Sequence, residues 1–598
     1  MDADSGSLNA SPRAAVGGMR SDGPTPGVFP PPESARPTIY GEQYVISAGH
    51  PLVAMAGARV FEAGGNAVDA GVAAGLAAAV VQADMCNLGG VAPILVRPAA
   101  SDAVFSVAGL GWWGQAVTVT AFTARYGGDM PLGPPVAVVP AAVSAYVRAL
   151  QRFGTWRFAE CAAAASALAG DGFCLDAGLA QSLAIMGRGW GRWPQSRAVY
   201  WPEGRPPRRG DRLVQPALAA TLEALHEAER SASSGDGEAG RRAGLDAVHD
   251  AFYRGEIARI IARFAQDHGG WLTEADLAAF DAEIETAVSA PFRDWQVWTP
   301  AAWCQGPALL QALAVLGAER LEDLGHNSAG YVHLLAEAIK QAFLDRERYY
   351  GDPRFVDVPL GFLLSGEHAA QLRAAIDPAA AHPGAAAALR TAPGRFDTTY
   401  ICAVGADGTA FSAMPSDTLD GSPIIPELGL MISPRGVQSR LDPDHPACLA
   451  PGKRPRMTPA PAIALRGRQP GASDREVMAF GSPGGDVILQ AMLQGFLNVT
   501  VFGMPPQQAV EAPRFAVFAW PGSFYPHAAV PARASLEGRF SEAVHADLAS
   551  RGHDVVRWPD YEFDAGGLAI AMDAAPPAGR RVLAAGADPR RLGYALGR

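Results

Sequence analysis

Two adjacent threonines, Thr398 and Thr399, follow a stretch rich in Pro and Gly and open an apolar run. Threonine favours strands and its hydroxyl caps loose chain ends, so one interpretation is the plain start of a strand. The other is that the Asp397–Thr398 bond is broken. A threonine at a chain terminus carries its own base, because a free α-amine with a pKa of about 8 can activate the weakly nucleophilic hydroxyl. Position alone favours the plain strand, so other residues must decide.

A glycine loop is the second candidate. Residues 481–486 read GSPGGD and lie between a predicted strand and an apolar helix. Glycines let the backbone approach a ligand, and amides at a helix N-terminus point towards developing negative charge. A tight strand-to-helix turn is the alternative, and for this loop taken alone it is favoured. The loop is not G-x-S-x-G, so Ser482 is not predicted to be a nucleophile.

Other patterns predict neither a metal site nor a nucleotide cofactor. Residues 109–114 (GLGWWG) match G-x-G-x-x-G, but two tryptophans would crowd a pyrophosphate. His326 and His333 lack the i,i+4 spacing of a metal-binding pair and are interpreted as capping or core residues. Cys86 is interpreted as a buried thiol.

The elements that must position these candidates are mixed helices and strands. Asn66 and Thr273 are each predicted to cap a helix. Residues 398–405 and 409–416 are predicted strands of a hairpin that turns at Ala406-Asp407-Gly408. Residues 230–244 are predicted to form an exposed loop, and residues 377–397 a flexible connector.

Bulk composition describes an ordinary folded chain of 598 residues, enough for two core-forming regions or one large layered domain. The net charge of −11 argues against nucleic acid as a partner. The six cysteines form no CxxC pair, which favours a reducing compartment. The N-terminal residues do not read as a signal peptide, and the most apolar stretch, 67–83, is short for a membrane span. We therefore expect a soluble, cytoplasmic protein with no membrane partner.

Several blocks taken together resemble the γ-glutamyltransferase family. The segment HPLVAMAGARVFEAGGNAVDAGVAAGLAAAVVQADMCNLGG is similar to the family's opening block. The resemblance continues in GHNSAGYVHLLAEAIKQAFLDRERYYGDP, TTY…DGTAFS, PGKRPRMTPAPAI and GSPGGD…LNVTVFGMPPQQAVEAPRF, in the family's order. It implies an N-terminal-nucleophile hydrolase of the α+β class, a four-layer αββα sandwich made as one chain that cleaves itself.

The resemblance also implies boundaries and roles for particular residues. A disordered leader would occupy 1–39, a large subunit 40–397 and a small subunit 398–598, and the two fragments would remain together as a heterodimer. Thr398 would be the nucleophile and Ser416 the hydroxyl that orients it. Gly484 and Gly485 match the pair whose amides form the oxyanion hole. Thr418 falls where many members have an asparagine in the site.

The residues that hold glutamate in the family are not retained. Val107 and Ala108 offer no charge where the family has an arginine for the substrate's α-carboxylate. Gln438 lies near the place of the family's acidic residue for the α-amino group, and Tyr400 stands where the family has a histidine. The catalytic residues are therefore retained while the glutamate site is changed.

We expect an amidohydrolase or acylase that uses no cofactor and forms an acyl-enzyme with a small amide. Its acyl part would carry a carboxylate but no α-amino group. Arg435, Arg440 and Arg456 are candidates to bind that carboxylate, with surface positions as the alternative. Trp112 and Trp113 are candidates to line an acyl pocket, with core positions as the alternative.

Two other functions stay open from the sequence. One is a γ-glutamyltransferase or glutathione hydrolase with an altered glutamate site, which would transfer acyl groups to dipeptide acceptors. The other is a catalytically inactive binding or scaffold protein. Retention of Thr398, Ser416 and the glycine pair argues against a scaffold.

Overall fold

The structure is a computed structural model, and it describes residues 34–99, 101–233, 237–385, 398–418, 421–467, 475–574 and 581–598. The strands of these residues are β1 (Ile39–Gly41), β2 (Tyr44–Ala48), β3 (Ile94–Arg97), β4 (Phe105–Val107), β5 (Phe173–Cys174), β6 (Arg212–Leu213), β7 (Ile284–Thr286), β8 (Val288–Phe292), β9 (Trp295–Thr299), β10 (Ile401–Gly405), β11 (Ala410–Ala413), β12 (Ile424–Ile425), β13 (Leu430–Met431), β14 (Ala462–Gly467), β15 (Arg475–Gly481), β16 (Phe515–Val517), β17 (Arg533–Glu537), β18 (Asp554–Trp558), β19 (Ala569–Ala574), β20 (Val582–Ala587) and β21 (Tyr594–Gly597). The α-helices are α1 (Pro51–Glu62), α2 (Ala67–Val81), α3 (Val119–Tyr126), α4 (Ala142–Phe153), α5 (Phe158–Gly170), α6 (Ala177–Trp190), α7 (Pro194–Tyr200), α8 (Pro216–Ala232), α9 (Glu238–Tyr253), α10 (Glu256–Asp267), α11 (Glu274–Ala278), α12 (Gly306–Leu316), α13 (Leu321–Leu324), α14 (Ala329–Tyr349), α15 (Leu360–Leu363), α16 (Gly366–Ala374), α17 (Ile488–Thr500), α18 (Pro506–Glu511) and α19 (Glu542–Ser550).

Two antiparallel seven-stranded sheets form the centre of the fold. The first has the strand order β1-β20-β19-β15-β14-β9-β8 and the second has the order β21-β2-β10-β11-β3-β4-β7. The sheets contact each other through the pairs β2–β20, β10–β19 and β11–β15. Helices α1 and α2 contact the second sheet, and α12, α17 and α18 contact the first.

Strand β10 shows why both faces of the central strands are apolar. Ile401 and Ala403 belong to the core under α1 and α2, whereas Cys402 and Val404 belong to the core shared with the first sheet. Side chains alternate between faces in a strand, so a strand covered on both sides needs apolar residues at every position. Burial on both faces of β10 therefore explains why the residues that follow Thr398 form an apolar run.

Helix α2 is an interior helix, as its sequence predicts. Asn66 Oδ1 accepts hydrogen bonds from the Val68 and Asp69 amides at 2.8 and 3.1 Å, and Asp69 accepts from the Asn66 amide at 2.9 Å. This reciprocal cap starts a helix in which every residue is buried. Gly71 is required at its position, because a Cβ there would lie 2.1 Å from the ring of Phe411 on β11. Thr273 caps α11 in the same way, and both cap predictions are confirmed.

The predicted exposed loop at 230–244 is wrong at both ends, since helix α8 extends to Ala232. Helix α9 begins at Glu238 and therefore takes up the end of that segment. Arg241 pairs with Glu238 and donates to the carbonyls of Leu150 and Trp156. These contacts hold the first turn of α9 against the protein, which the polar sequence did not indicate.

The described chain makes specific contacts before residue 40. The amides of Ala35 and Arg36 donate to Glu511 at 2.6 and 3.1 Å, and β1 begins at Ile39. The predicted leader 1–39 is thus too long at its end, because Glu511 fixes the backbone there. Residues 1–33 lie outside the described residues.

The predicted flexible connector is likewise held at its start. His333 lies 2.8 Å from the Asp377 carbonyl, and Lys340 donates to the His382 carbonyl at 2.8 Å. Both side chains come from α14, so residues 377–385 lie along that helix. The rest of the connector, residues 386–397, lies outside the described residues. It includes Asp397, one of the two residues joined by the predicted cleavage bond.

No described helix combines the length and apolarity that crossing a membrane requires. The six cysteines form no disulfide among the described residues.

Candidate active site

Thr398 and Ser416 are brought together by the register of one hairpin. Strands β10 and β11 pair Ile401 with Ala413, and beyond them the Thr399 amide donates to the Pro415 carbonyl at 3.0 Å. The next pair outward is Thr398 and Ser416, whose hydroxyl oxygens lie 2.7 Å apart. Both residues are fully buried.

The backbone of Thr398 is strained. Its φ is +95°, a conformation that a β-branched residue rarely adopts. The Thr398 amide donates to the Met85 carbonyl at 3.0 Å, and its carbonyl accepts from Arg591 Nη1 at 3.4 Å. Strain of this kind persists where surrounding contacts fix it, and it is concentrated at functional sites.

A buried ion pair lies directly behind Ser416. Arg435, in a short 3₁₀ turn, donates to Ser416 Oγ and to Asp417 Oδ1. Ser433 Oγ donates to the other oxygen of Asp417 at 2.5 Å. Arg435 was predicted to bind a substrate carboxylate, and the structure shows its guanidinium facing a carboxylate of the protein itself.

Asp417 is a site residue that the sequence did not identify, and Arg591 is another. Asp417 is fully buried and has a φ of +93°. Two signals were present in the sequence. Asp417 directly follows Ser416, and its partner Arg435 lies 18 residues further along the chain.

Gln438, Tyr400 and Thr418 take three different positions. Gln438 Nε2 donates to Thr458 Oγ1 at 3.1 Å, and its Oε1 accepts from Arg435 at 3.4 Å. The Tyr400 hydroxyl lies 2.7 Å from Ser412 Oγ inside the protein, and burial raises the pKa of this phenol well above its usual value. Thr418 and Tyr400 both line the same cavity as Thr398.

The glycine pair is held in a turn that requires glycine. Gly484 and Gly485 have φ values of +133° and +56°, and Gly485 begins a 3₁₀ turn that leads into α17. Gln305 Nε2 donates to the Gly485 carbonyl at 2.9 Å. The preceding residue, Pro483, lines the same cavity as Thr398.

Asp486 anchors this turn to the protein interior. Burial opposes its ionisation, but Arg346 and two bonds from Ser523, both at 2.7 Å, outweigh burial and hold the pKa of the carboxyl below its usual value. The turn is therefore fixed by charged groups before any ligand arrives.

Thr398 opens onto a cavity of about 550 Å³. Basic and acidic side chains both reach it. Arg591 lies beside the Thr398 carbonyl, and His50 lies 3.3 Å from Asp176. Burial raises the pKa of Asp84, which lines the same cavity, to about 6. The cavity therefore brings the nucleophile candidate and at least one cation, Arg591, into one lining.

The other candidates of the sequence lie away from Thr398. Arg440 and Arg456 both bind Glu347 in a buried cluster, so they are neither surface residues nor partners of the nucleophile. Trp113 is buried and donates to Ser439 Oγ at 2.9 Å, and Trp112 packs on Phe280. Trp113 is a core residue, as the alternative interpretation held, and Trp112 is a partly buried residue packed against the core.

One group among the described residues has the composition of a metal site. His333, Glu337 and His553 offer ligand atoms within 4.8 Å of one another. His333 and Glu337 have the i,i+4 spacing that His326 and His333 lack. However, Lys340 Nζ lies 2.7 Å from Glu337 and already supplies the counter-charge, so the donor set does not fit an added cation.

The chain matches the family model described as Gamma-glutamyltranspeptidase over residues 53–598. It is 32% identical over 560 residues to the oxamate amidohydrolase proenzyme of Klebsiella pneumoniae, covering 92% of this chain and 97% of that protein. It is 29% identical over 563 residues to the glutathione hydrolase-like YwrD proenzyme of Bacillus subtilis (strain 168), covering 94% and 99%. The solved cephalosporin acylase from Bacillus halodurans superposes with a TM-score of 0.81 at 28% identity, covering 96% of this chain and 99% of that one. The resemblance found in the sequence, and the mixed helices and sheets it implied, are confirmed.

Proposed function

The chain belongs to the gamma-glutamyltranspeptidase family and is an amidohydrolase, and from that premise we propose that it cleaves itself before Thr398 and then uses Thr398 as its nucleophile. One observation carries the proposal most directly. Thr398 is a strained, buried threonine with a hydroxyl partner at 2.7 Å and an open cavity beside it. A plain strand start needs neither the strain nor the cavity.

Self-cleavage would convert this threonine into a complete nucleophile. Thr398 Oγ1 attacks the carbonyl carbon of Asp397, the C–N bond breaks, and the amine of Thr398 leaves with a proton. Water then hydrolyses the ester, which gives Asp397 a carboxylate and returns the hydroxyl. The freed amine titrates at a pKa of about 8 and becomes the general base.

Turnover would repeat the same chemistry on an external amide. The amine takes the Thr398 hydroxyl proton while Oγ1 bonds to the substrate carbonyl carbon, whose oxygen becomes an oxyanion. The amides of Gly484 and Gly485 are assigned to that oxyanion, and the loss of one such donor typically costs about a hundred- to a thousand-fold in rate. The amine product leaves with the proton, and water hydrolyses the acyl ester.

The proposed architecture follows the same logic. Two contacting sheets with helices on their outer sides support the four-layer αββα sandwich of an N-terminal-nucleophile hydrolase. Residues 398–598 would be the small subunit. It contributes β10, β11, β14 and β15 to sheets that also hold strands of the large subunit, so the two fragments would stay together as a heterodimer.

We assign the substrate to small amides whose acyl part carries a carboxylate. Arg591, beside the Thr398 carbonyl, brings a cation into the cavity. Gly567 leaves room for it, since a Cβ there would lie 2.9 Å from Arg591 Cδ. The relative named oxamate amidohydrolase acts on an amide of this chemical type, which supports the assignment.

A panel of substrates tests this function. The purified, processed protein is incubated with oxamate, with glutaryl amides, with an uncharged acyl amide and with a γ-glutamyl anilide, with and without glycylglycine. Faster release of amine from the carboxylated amides, unchanged by glycylglycine, is the expected result. Preference for the γ-glutamyl anilide together with transfer to glycylglycine would instead establish a transferase, and no turnover of any amide would leave a binding protein.

A further inference from the structure

The hydrogen bonds of Ser416 have a direction that the structure fixes. Its hydroxyl has two side-chain contacts, Arg435 Nη2 and Thr398 Oγ1. A guanidinium can only donate, so the Ser416 oxygen accepts from Arg435. Because Ser416 is fully buried, its own proton needs an acceptor, and Thr398 Oγ1 is the acceptor within reach.

This direction matters for Thr398. Since Ser416 donates to Thr398 Oγ1, the Thr398 hydroxyl proton does not point at Ser416. Negative charge that develops on Oγ1 is then stabilised by a hydrogen bond whose donor oxygen is itself bonded to a cation. Hydrogen bonds backed by charge are roughly twice as strong as neutral ones.

Arg435 is held in place for this role by Asp417. The two side chains form a fully buried ion pair, and Ser433 donates to the remaining Asp417 oxygen at 2.5 Å. The guanidinium also lies 5.6 Å from the centre of the Phe524 ring. Asp417 adopts a φ of +93° in this arrangement, a strain that the surrounding bonds maintain.

We propose that Asp417 and Arg435 are positioning residues that orient the Ser416 hydroxyl towards Thr398 Oγ1 and favour negative charge on that oxygen. No proton passes through Arg435, and Ser416 keeps its own proton. The inference rests on the proposed function, because it assumes that Thr398 is the nucleophile. It changes the role of Arg435 from binding substrate to preparing the nucleophile, and it adds Asp417 to the site.

A purely structural ion pair gives a different expectation. If the Arg435–Asp417 pair were purely structural, breaking it would lower stability, and activity would fall by the same factor at every pH. A cation near the nucleophile also acts on the Thr398 amine, which must be unprotonated to serve as the base. Arg435 and Asp417 lie next to Ser416, and Arg591 lies beside the Thr398 carbonyl. The other charged and titratable residues described in the cavity shared with Thr398 are Arg36, His50, Asp84, Asp176, Tyr400, Glu562, Asp564, Asp588 and Arg590.

The test compares the acid limb of the pH profile of kcat/KM in processed wild type and in three variants. Arg435→Met removes the cation, so the Thr398 amine protonates more readily and the acid limb shifts to higher pH by about one unit. The same variant should lower kcat by about ten- to a hundred-fold. In Asp417→Asn the cation loses its counter-charge and the limb moves down. Arg435→Lys keeps the charge and leaves the limb within a few tenths of wild type. Arg533→Met, at a half-exposed pair with Asp554, is the matched control.

The outcomes separate this inference from the proposed function. Opposite shifts in Arg435→Met and Asp417→Asn support it. If Asp417→Asn does not fold, the inference is still supported when the acid limb shifts in Arg435→Met and does not shift in Arg435→Lys. An active wild type whose variants lose activity equally at every pH would overturn the inference and leave the function standing. An uncut, inactive wild type would overturn both.

Discussion

Thr398 and Ser416 are equidistant in sequence from Asp407, the central residue of the turn between β10 and β11, and the hairpin register therefore places their hydroxyl oxygens 2.7 Å apart. Long-range bonds also hold both ends of the pair, because the Thr398 amide donates to the Met85 carbonyl at 3.0 Å and the Ser416 amide to the Val91 carbonyl at 2.9 Å. The first prediction concerns this pair.

Replacement of Ser416 by alanine is expected to slow both self-cleavage and turnover by about a hundred-fold, because a donor aimed at the reacting oxygen is lost. Ser416→Thr keeps the hydroxyl and is the control. Fragment formation on gels and kcat on a carboxylated amide are measured for both variants. Equal rates in Ser416→Ala and wild type would show that the hydrogen bond has no catalytic role.

Replacement of Arg591 by alanine is expected to raise KM for carboxylated amides by about ten- to a hundred-fold, since a hydrogen bond to a charged group is lost. KM for an uncharged amide of similar size should change much less. Arg533→Ala, at a surface ion pair, is the control. An equal rise for both substrates would mean that Arg591 supports the cavity wall rather than binding the carboxylate.

The pH dependence of stability should report Asp352. Burial alone would raise the pKa of this carboxyl, but bonds from Arg354 and Arg454 outweigh burial and lower it to about 2. A carboxyl whose folded pKa is lower than its unfolded pKa adds stability at pH values above about 4. That contribution, about 2 kcal/mol, is lost as the pH falls towards 2.

Chemical unfolding of wild type and Asp352→Asn between pH 7 and pH 2 measures this effect. The difference in free energy of unfolding is expected to be largest at pH 7 and to shrink towards pH 2, where the wild-type carboxyl is protonated too. Asp554→Asn, at a surface pair, should change stability by less than about 1 kcal/mol. A difference that is the same at every pH would refute the assignment.

The protein is expected to fold without a metal ion bound at His333, Glu337 and His553. Because Lys340 already neutralises Glu337, dialysis against EDTA should leave the melting temperature unchanged. Lys340→Met leaves a buried carboxylate unpaired and should cost about 3–5 kcal/mol. Added Zn²⁺ should raise the melting temperature of that variant and not of wild type. A wild type that melts earlier after EDTA would contradict this interpretation.

Part of the geometry of the candidate site could be predicted from the sequence, and the failures have physical causes. The hairpin signal at Ala406-Asp407-Gly408 is local, so it sets the Thr398–Ser416 register without tertiary information. The pairing of Asp417 with Arg435 depends on how the chain returns after β13, which periodicity does not encode. Arginine chemistry alone therefore assigned Arg435 to a ligand when the protein supplies its carboxylate.

The predictions for longer segments also succeeded where the determinants are local and failed where they are distant in sequence. The caps at Asn66 and Thr273 act over one helical turn, and both were predicted correctly. The anchoring of residues 377–385 depends on side chains of α14 that are distant in sequence, and composition alone predicted a flexible segment there.

The most direct test of the central claim is the intact mass of purified wild type beside Thr398→Ala. The expected result is two fragments in wild type, the smaller beginning at Thr398 by N-terminal sequencing, and one uncut chain in the variant. A wild type that stays uncut after long incubation, or a variant that is cut at the same bond, would contradict the assignment of Thr398 as the nucleophile.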